Sequence, residues 1–113
     1  MPRFLLVLRD GEWNPETMSP EEIQAVLSRY RTWVDRVKGD GQKLRDDEGR
    51  VLRRNGSGGI FVTDGPYAEG REVLGGFLVV EAQDYGAAVK LCEDSPHFQF
   101  GTIEIRQIED RDG

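Results

Sequence analysis

The chain reads as an α+β domain, and three observations predict it. Residues 4–8 and 77–80 are short apolar runs with no polar face, as strands buried on both sides are. Two other stretches carry apolar residues three and four apart behind a capping residue, as amphipathic helices do. The elements then follow in the order strand, helix, strand, strand, helix, strand, which is the ferredoxin-like βαββαβ pattern with an antiparallel sheet.

Residues 3–9 give the first strand, and residues 10–18 a loop holding Gly11, Asn14 and Pro15. Ser19 is placed to cap the first helix, with Pro20 at its first position and Glu22 completing a capping box. Ile23, Val26, Leu27, Tyr30, Trp33, Val34 and Val37 form its apolar stripe, and Gly39 is read as its stop. Residues 39–59 are the least regular part, with Leu44 and Val51-Leu52 as isolated anchors. Residues 60–63 make a short strand, Asp64-Gly65-Pro66 a turn, and residues 74–81 a second long strand. Asp84 caps the second helix, with Tyr85, Ala88, Val89 and Cys92 on one side, and Pro96 requires it to have ended. Residues 102–109 form the last strand. There Ile108 falls out of alternation, so a bulge near Gln107 or a departure from the sheet is expected. Residues 110–113 are a polar tail.

At 113 residues the chain fits one domain, residues 1–113, large enough to fold without staples. Acidic residues outnumber basic ones 21 to 15, a net −6. Such a field repels phosphate backbones and anionic lipid, so neither nucleic acid nor a membrane is an expected partner. One cysteine and one histidine exclude a disulfide framework and a Cys/His zinc site. Residues 56–59 are glycine-rich but lack the lysine of a phosphate-binding loop. Asp46-Asp47-Glu48 lacks calcium-loop spacing. No cofactor and no metal is therefore expected. No run is long enough for a signal peptide or a membrane span, so the expected location is the cytoplasm, where Asn55-Gly56-Ser57 has no glycosylation meaning.

Two helices cover one face of a four-stranded sheet. The other face, apolar as well, needs a cover, since large bare apolar patches are rare on monomers. A second copy packing sheet against sheet is the simplest one, so a homodimer is expected.

Several stretches match a known family. They are Thr63-Asp64-Gly65-Pro66-Tyr67-Ala68-Glu69, Glu72-Val73-Leu74-Gly75-Gly76-Phe77, Ala87-Ala88, Ser95-Pro96-His97 and Gly101-Thr102-Ile103-Glu104-Ile105-Arg106. Residues 4–8, Ser19-Pro20-Glu21-Glu22 and residues 41–44 agree more loosely. On these residues the chain resembles the YCII-related family, in its DGPF-type branch. The departures are Tyr67 where Phe is usual, Gly70-Arg71 for Thr-Lys, and Gln107 for Pro. The resemblance implies a dimeric α/β barrel built from ferredoxin-like subunits. It also implies that an enzyme-like branch acts on chlorinated hydroxyquinones through a His–Asp pair. The positions of that pair are Tyr30 and Ser95 here, so the mechanism does not carry over. An association of the DGPF-type branch with alternative sigma factors is implied too.

The residues themselves offer few candidates for chemistry. Asp64 ends a strand where clefts form; desolvated there, it serves as a general base, or else it fixes the turn through backbone N–H groups. His97 sits among Phe98 and Phe100. As a proton shuttle it needs Asp64, Glu104 or a substrate in reach, and otherwise it is a loop histidine. Tyr30 and Trp33 either line a ligand pocket between helix and sheet or belong to the core. Arg106 either binds an anionic ligand or pairs with Glu104 or Glu81. Cys92 reads as a small core side chain. Two functions stand open. One is a homodimeric, bacterial-type module that binds a small aromatic or oxygenated ligand, or regulates. The alternative is a cofactor-independent enzyme of lyase, dehydrochlorinase or isomerase type, with Asp64 as base and His97 or Tyr30 as acid.

Overall fold

The computed structural model describes residues 1–11, 17–45, 49–54, 56–64 and 73–109, with backbone alone at Asp64, Val73 and Leu74. The 64–66 turn beyond Asp64, the acidic run 46–48, Asn55 and the tail 110–113 lie outside the described residues. The elements are β1 (Arg3–Asp10), α1 (Pro20–Val37), β2 (Asp40–Lys43), β3 (Arg50–Arg54), β4 (Ile60–Asp64), β5 (Val73–Glu81), α2 (Tyr85–Cys92), a 3-10 turn (Pro96–Gln99) and β6 (Gly101–Gln107). The main sheet runs β2-β5-β1-β6, all antiparallel, and β3 and β4 form a separate ribbon. This is an α+β arrangement consistent with the ferredoxin-like fold.

One strand assignment is corrected. Residues 60–63 read as the second strand of the sheet, but β4 pairs with β3, and Val51 and Leu52 lie in that partner strand. The sheet's own second strand is β2, whose sequence Asp-Gly-Gln-Lys has no apolar residue and hence no alternation to detect. It is an edge strand held by its pairing with β5. A Cβ at Gly41 would overlap the Phe77 carbonyl, so glycine is what lets the two backbones meet there.

The caps form as the sequence predicts. The Ser19 side chain accepts from the Glu22 N–H while Glu22 accepts from the Ser19 N–H, both at 3.1 Å. Asp84 accepts from the Ala87 N–H at 2.8 Å. The left-handed residue closing α1 is Lys38, φ 55°, and not Gly39. Gly39 instead packs closely on β5, where a Cβ would stand 2.6 Å from Leu78 Cδ2 and push that side chain aside.

On the helix-covered face Phe4, Leu6, Leu78 and Val80 pack with Trp33 and Val37 of α1 and with Ala88 and Cys92 of α2. The fully buried Phe4 meets the Tyr85 ring edge-on, centroids 4.9 Å apart. The pairs Leu5–Val79 and Val7–Phe77 lie on the opposite face and are only half-buried. Strand β6 keeps an unbroken register with β1 to Gln107, so no bulge lies there, and the Ile108 N–H still donates to the Arg3 carbonyl at 2.8 Å in the same register. The bulge is elsewhere. Leu8 faces Gly76 but Arg9 faces Leu74, so Gly75 is the extra residue of β5. Among the described residues no helix is long and apolar enough to cross a membrane.

Candidate functional site

Beneath α1 the described residues enclose a ligand-sized space whose sheet side carries three glycines. Gly76 sits opposite Leu8, and Gly41 opposite Leu78, in the rows that face α1. Glycine lets the strand backbones come close at these points, since a Cβ would overlap the Phe77 carbonyl at Gly41 and stand 2.9 Å from the Gln42 carbonyl at Gly76. A cavity of about 240 Å³ lies under the helix, with Gly41, Gly75 and Gly76 on its sheet side and Leu27, Tyr30 and Val34 on its helix side. Its lining is mainly apolar, with a polar end formed by Tyr30, His97 and Asp10.

His97 is built into that end by the turn that carries it. Ser95 caps the turn and its Oγ accepts from the His97 N–H at 3.1 Å, with Pro96 at the first position. The His97 carbonyl accepts from the Phe100 N–H at 2.9 Å. Gly101 then lets β6 pass beside the Arg9 carbonyl, where a Cβ would overlap that oxygen and stand 3.1 Å from His97 Nε2. The imidazole is 2% exposed. Its Nε2 lies 2.9 Å from the Arg9 carbonyl oxygen and 3.8 Å from Asp10 Oδ1; its Nδ1 lies 2.8 Å from the Tyr30 hydroxyl.

The tautomer follows from the partners. A carbonyl oxygen only accepts, so Nε2 carries the proton of the neutral ring, and Nδ1 accepts from the Tyr30 O–H. Burial, and next the charge of Asp10, hold the Tyr30 phenol above the ordinary tyrosine range against a smaller pull from Arg29. Tyr30 is therefore a neutral hydroxyl across the working pH range. Asp10 is aimed inward by the bulge, and a Cβ at Gly75 would occupy the space of its carboxylate.

The sequence-predicted residues divide. Tyr30 and His97 meet in the cavity wall, and His97 is a buried, bonded histidine instead of a loose loop residue. Its neighbours are Tyr30 and Asp10, whereas the sequence pointed to Asp64 or Glu104. Trp33 is core, 2% exposed, with its indole N–H donated to the Leu91 carbonyl at 2.8 Å, and it does not line this cavity. Arg106 lies on the far face, 70% exposed, 3.3 Å from Glu104, which also meets Arg9 at 3.4 Å. That is the in-sheet pairing, and Arg106 does not line this cavity. Asp64 pairs with Arg50 at one end of the β3–β4 ribbon, and its side chain lies outside the described residues. Sequence reading missed Asp10, taken as the first loop residue, and the glycines on the sheet side. The adjacent Gly75-Gly76 within a strand was the available signal, since glycine in a strand marks a bulge or a close backbone approach. Among the described residues no cluster of His, Cys, Asp and Glu is arranged to hold a metal.

Fold and cavity together define a small α+β domain with a ligand-sized space under its first crossover helix. The chain belongs to the YCII-related domain family, which matches residues 4–111. Among solved structures it is similar to 5-chloro-2-hydroxyhydroquinone dehydrochlorinase from Burkholderia phenoliruptrix AC1100 in complex with 2,5-dihydroxybenzoquinone. The identity is 16%, over 95% of this chain and 93% of that chain, with a TM-score of 0.43. No curated protein matches.

Proposed function

We propose that this protein binds a small, largely apolar, oxygenated molecule in the cavity under α1, and does so as a cytoplasmic homodimer of the DGPF-type branch. One observation carries the reading: an apolar cavity of about 240 Å³ with a bonded Tyr30–His97 pair at its polar end. An engineered apolar cavity of about 150 Å³ already holds benzene, so a substituted ring fits. The homodimer is supported by the half-buried apolar row Leu5, Val7, Phe77 and Val79, on the face opposite the helix-covered core. Two such sheets face to face make the dimeric barrel.

A second reading, catalysis without a cofactor, is favoured by the same pair. A proton leaving the ligand passes to the Tyr30 oxygen as the Tyr30 proton passes to His97 Nδ1, and Asp10 faces the resulting imidazolium. Asp64 has no part in this form, which rests on Tyr30 and His97.

A thermal-shift screen with hydroxylated aromatics and lactones tests the binding reading. A ligand at 100 times its Kd adds about 2.7 kcal/mol of stability. The shift is expected to vanish in Leu27→Trp, which fills the cavity from its half-open wall. A panel without a hit, or a shift unchanged by Leu27→Trp, overturns it. Light scattering at micromolar concentration tests the dimer. A dimeric mass that falls to a monomeric one in Val7→Arg is expected, and a monomeric wild-type mass overturns it.

A further inference from the structure

We infer that the polar end of the cavity selects its ligand as a hydrogen-bond donor, taking a hydroxyl or N–H compound over a carbonyl or ether of the same size. The inference rests on the cavity being the ligand site. Its origin is the Arg9 carbonyl, which lies outside the cavity lining. That oxygen fixes the proton of neutral His97 on Nε2 at 2.9 Å. Nδ1 then has no proton to give, so the Tyr30 hydroxyl spends its only proton on Nδ1 at 2.8 Å. What Tyr30 has left for a ligand is lone pairs. His97 is 2% exposed, so a ligand meets the pair through Tyr30. A ligand hydroxyl completes the chain hydroxyl, Tyr30, His97, Arg9 carbonyl, with every proton directed inward. A ligand carbonyl sets acceptor against acceptor. The mismatch is of the order of one hydrogen bond, which converts to about tenfold in affinity.

Protonation of His97 reverses this polarity. Nδ1 then donates to the Tyr30 oxygen, and the Tyr30 proton turns to the cavity. The charged and titratable groups around the ring are Asp10 on β1, Tyr30 and Arg29 on α1, and Lys43, which lines the cavity from β2. Ser95 contacts only the backbone N–H of His97.

His97 is the single histidine, so its imidazole nitrogens give unambiguous 15N signals. In the free protein at neutral ring charge, the Nε2–H tautomer is expected. Titration of the full chain with phenol, benzaldehyde and toluene should then rank phenol about tenfold ahead of benzaldehyde. Once the 15N shifts report a protonated ring, that order should level or invert. An Nδ1–H tautomer, equal affinity for phenol and benzaldehyde, or phenol no better than toluene overturns the inference while leaving the cavity as a binding site. If none of the three probes perturbs His97, the cavity reading fails and the inference fails with it.

Discussion

In the main sheet Phe4 and Leu6 are fully buried, while in the β3–β4 ribbon Leu52 is 63% exposed and Val62, its cross-strand partner, 59%. The residue types are alike. What differs is the layer above them. The main sheet has α1 and α2 on one face, and each apolar side chain there gains burial worth about 25 cal/mol per Å². Among the described residues the ribbon is held chiefly by its cross-strand pairs, such as Leu52–Val62 and Arg53–Phe61, each worth about 0.2–1 kcal/mol. A two-stranded ribbon in water is marginal on those terms. Burial, and not strand propensity, thus separates the rigid part of the chain, which holds the cavity, from a part of low local stability.

The comparison breaks most visibly in the core. Leu6→Ala removes a fully buried side chain and should lower unfolding free energy by about 2–5 kcal/mol in urea titrations. A loss under 1 kcal/mol would show that the sheet and helices are not tightly packed.

Alkali probes the same core through its ionisable members. Burial pushes the Cys92 thiol up to about 11, from an ordinary 9 in the unfolded chain, and raises the Tyr30 phenol as well. For both groups folding favours the protonated form. The unfolded chain therefore loses protons first, and stability falls as pH rises. The Cys92 contribution is intact below about pH 9 and lost on passing 11, an effect of the order of 3 kcal/mol at most. Urea midpoints across that range should fall less steeply in Cys92→Ala than in the wild type. Parallel slopes would show the thiol is not desolvated.

A smaller effect is expected at the entrance to α1. Ser19→Ala removes one half of the capping box and should cost about 1 kcal/mol by thermal or urea unfolding. An unchanged midpoint would mean the helix is held by its buried face alone, through Val26, Trp33 and Val37.

Legibility in the sequence follows the same division. The capping residues Ser19 and Asp84 act within three residues, so local chemistry settles them. Strands β1 and β5 announce themselves because they are apolar on both faces. Strand β2 was unreadable since its pairing with β5 relies on backbone bonds and a bare glycine. That concealed which strand entered the sheet, although the βαββαβ order survived. The site was half legible. Tyr30 and His97 are conspicuous as residue types, but their meeting spans 67 positions and depends on a turn, a bulge and Gly101. Asp10 joins them only because Gly75 is skipped in the β1–β5 register, a fact of pairing that no local pattern records.

The smallest expected effect is in the ribbon, and it sharpens the contrast most. Leu52→Ser replaces an apolar residue already 63% exposed, so global stability should change by no more than about 0.5 kcal/mol. Amide exchange gives the finer reading. Opening free energies run from near zero in loosely held elements to the global value in core strands. The Leu52 and Val62 amides should thus exchange orders of magnitude faster than those of Leu6 and Leu78. Equal protection in the two regions would mean that a further surface covers the ribbon. Repeating the exchange on the Val7→Arg variant separates the cases. Protection lost together with the dimeric mass would place the ribbon in contact with a second copy, and protection retained would place its cover within the chain itself.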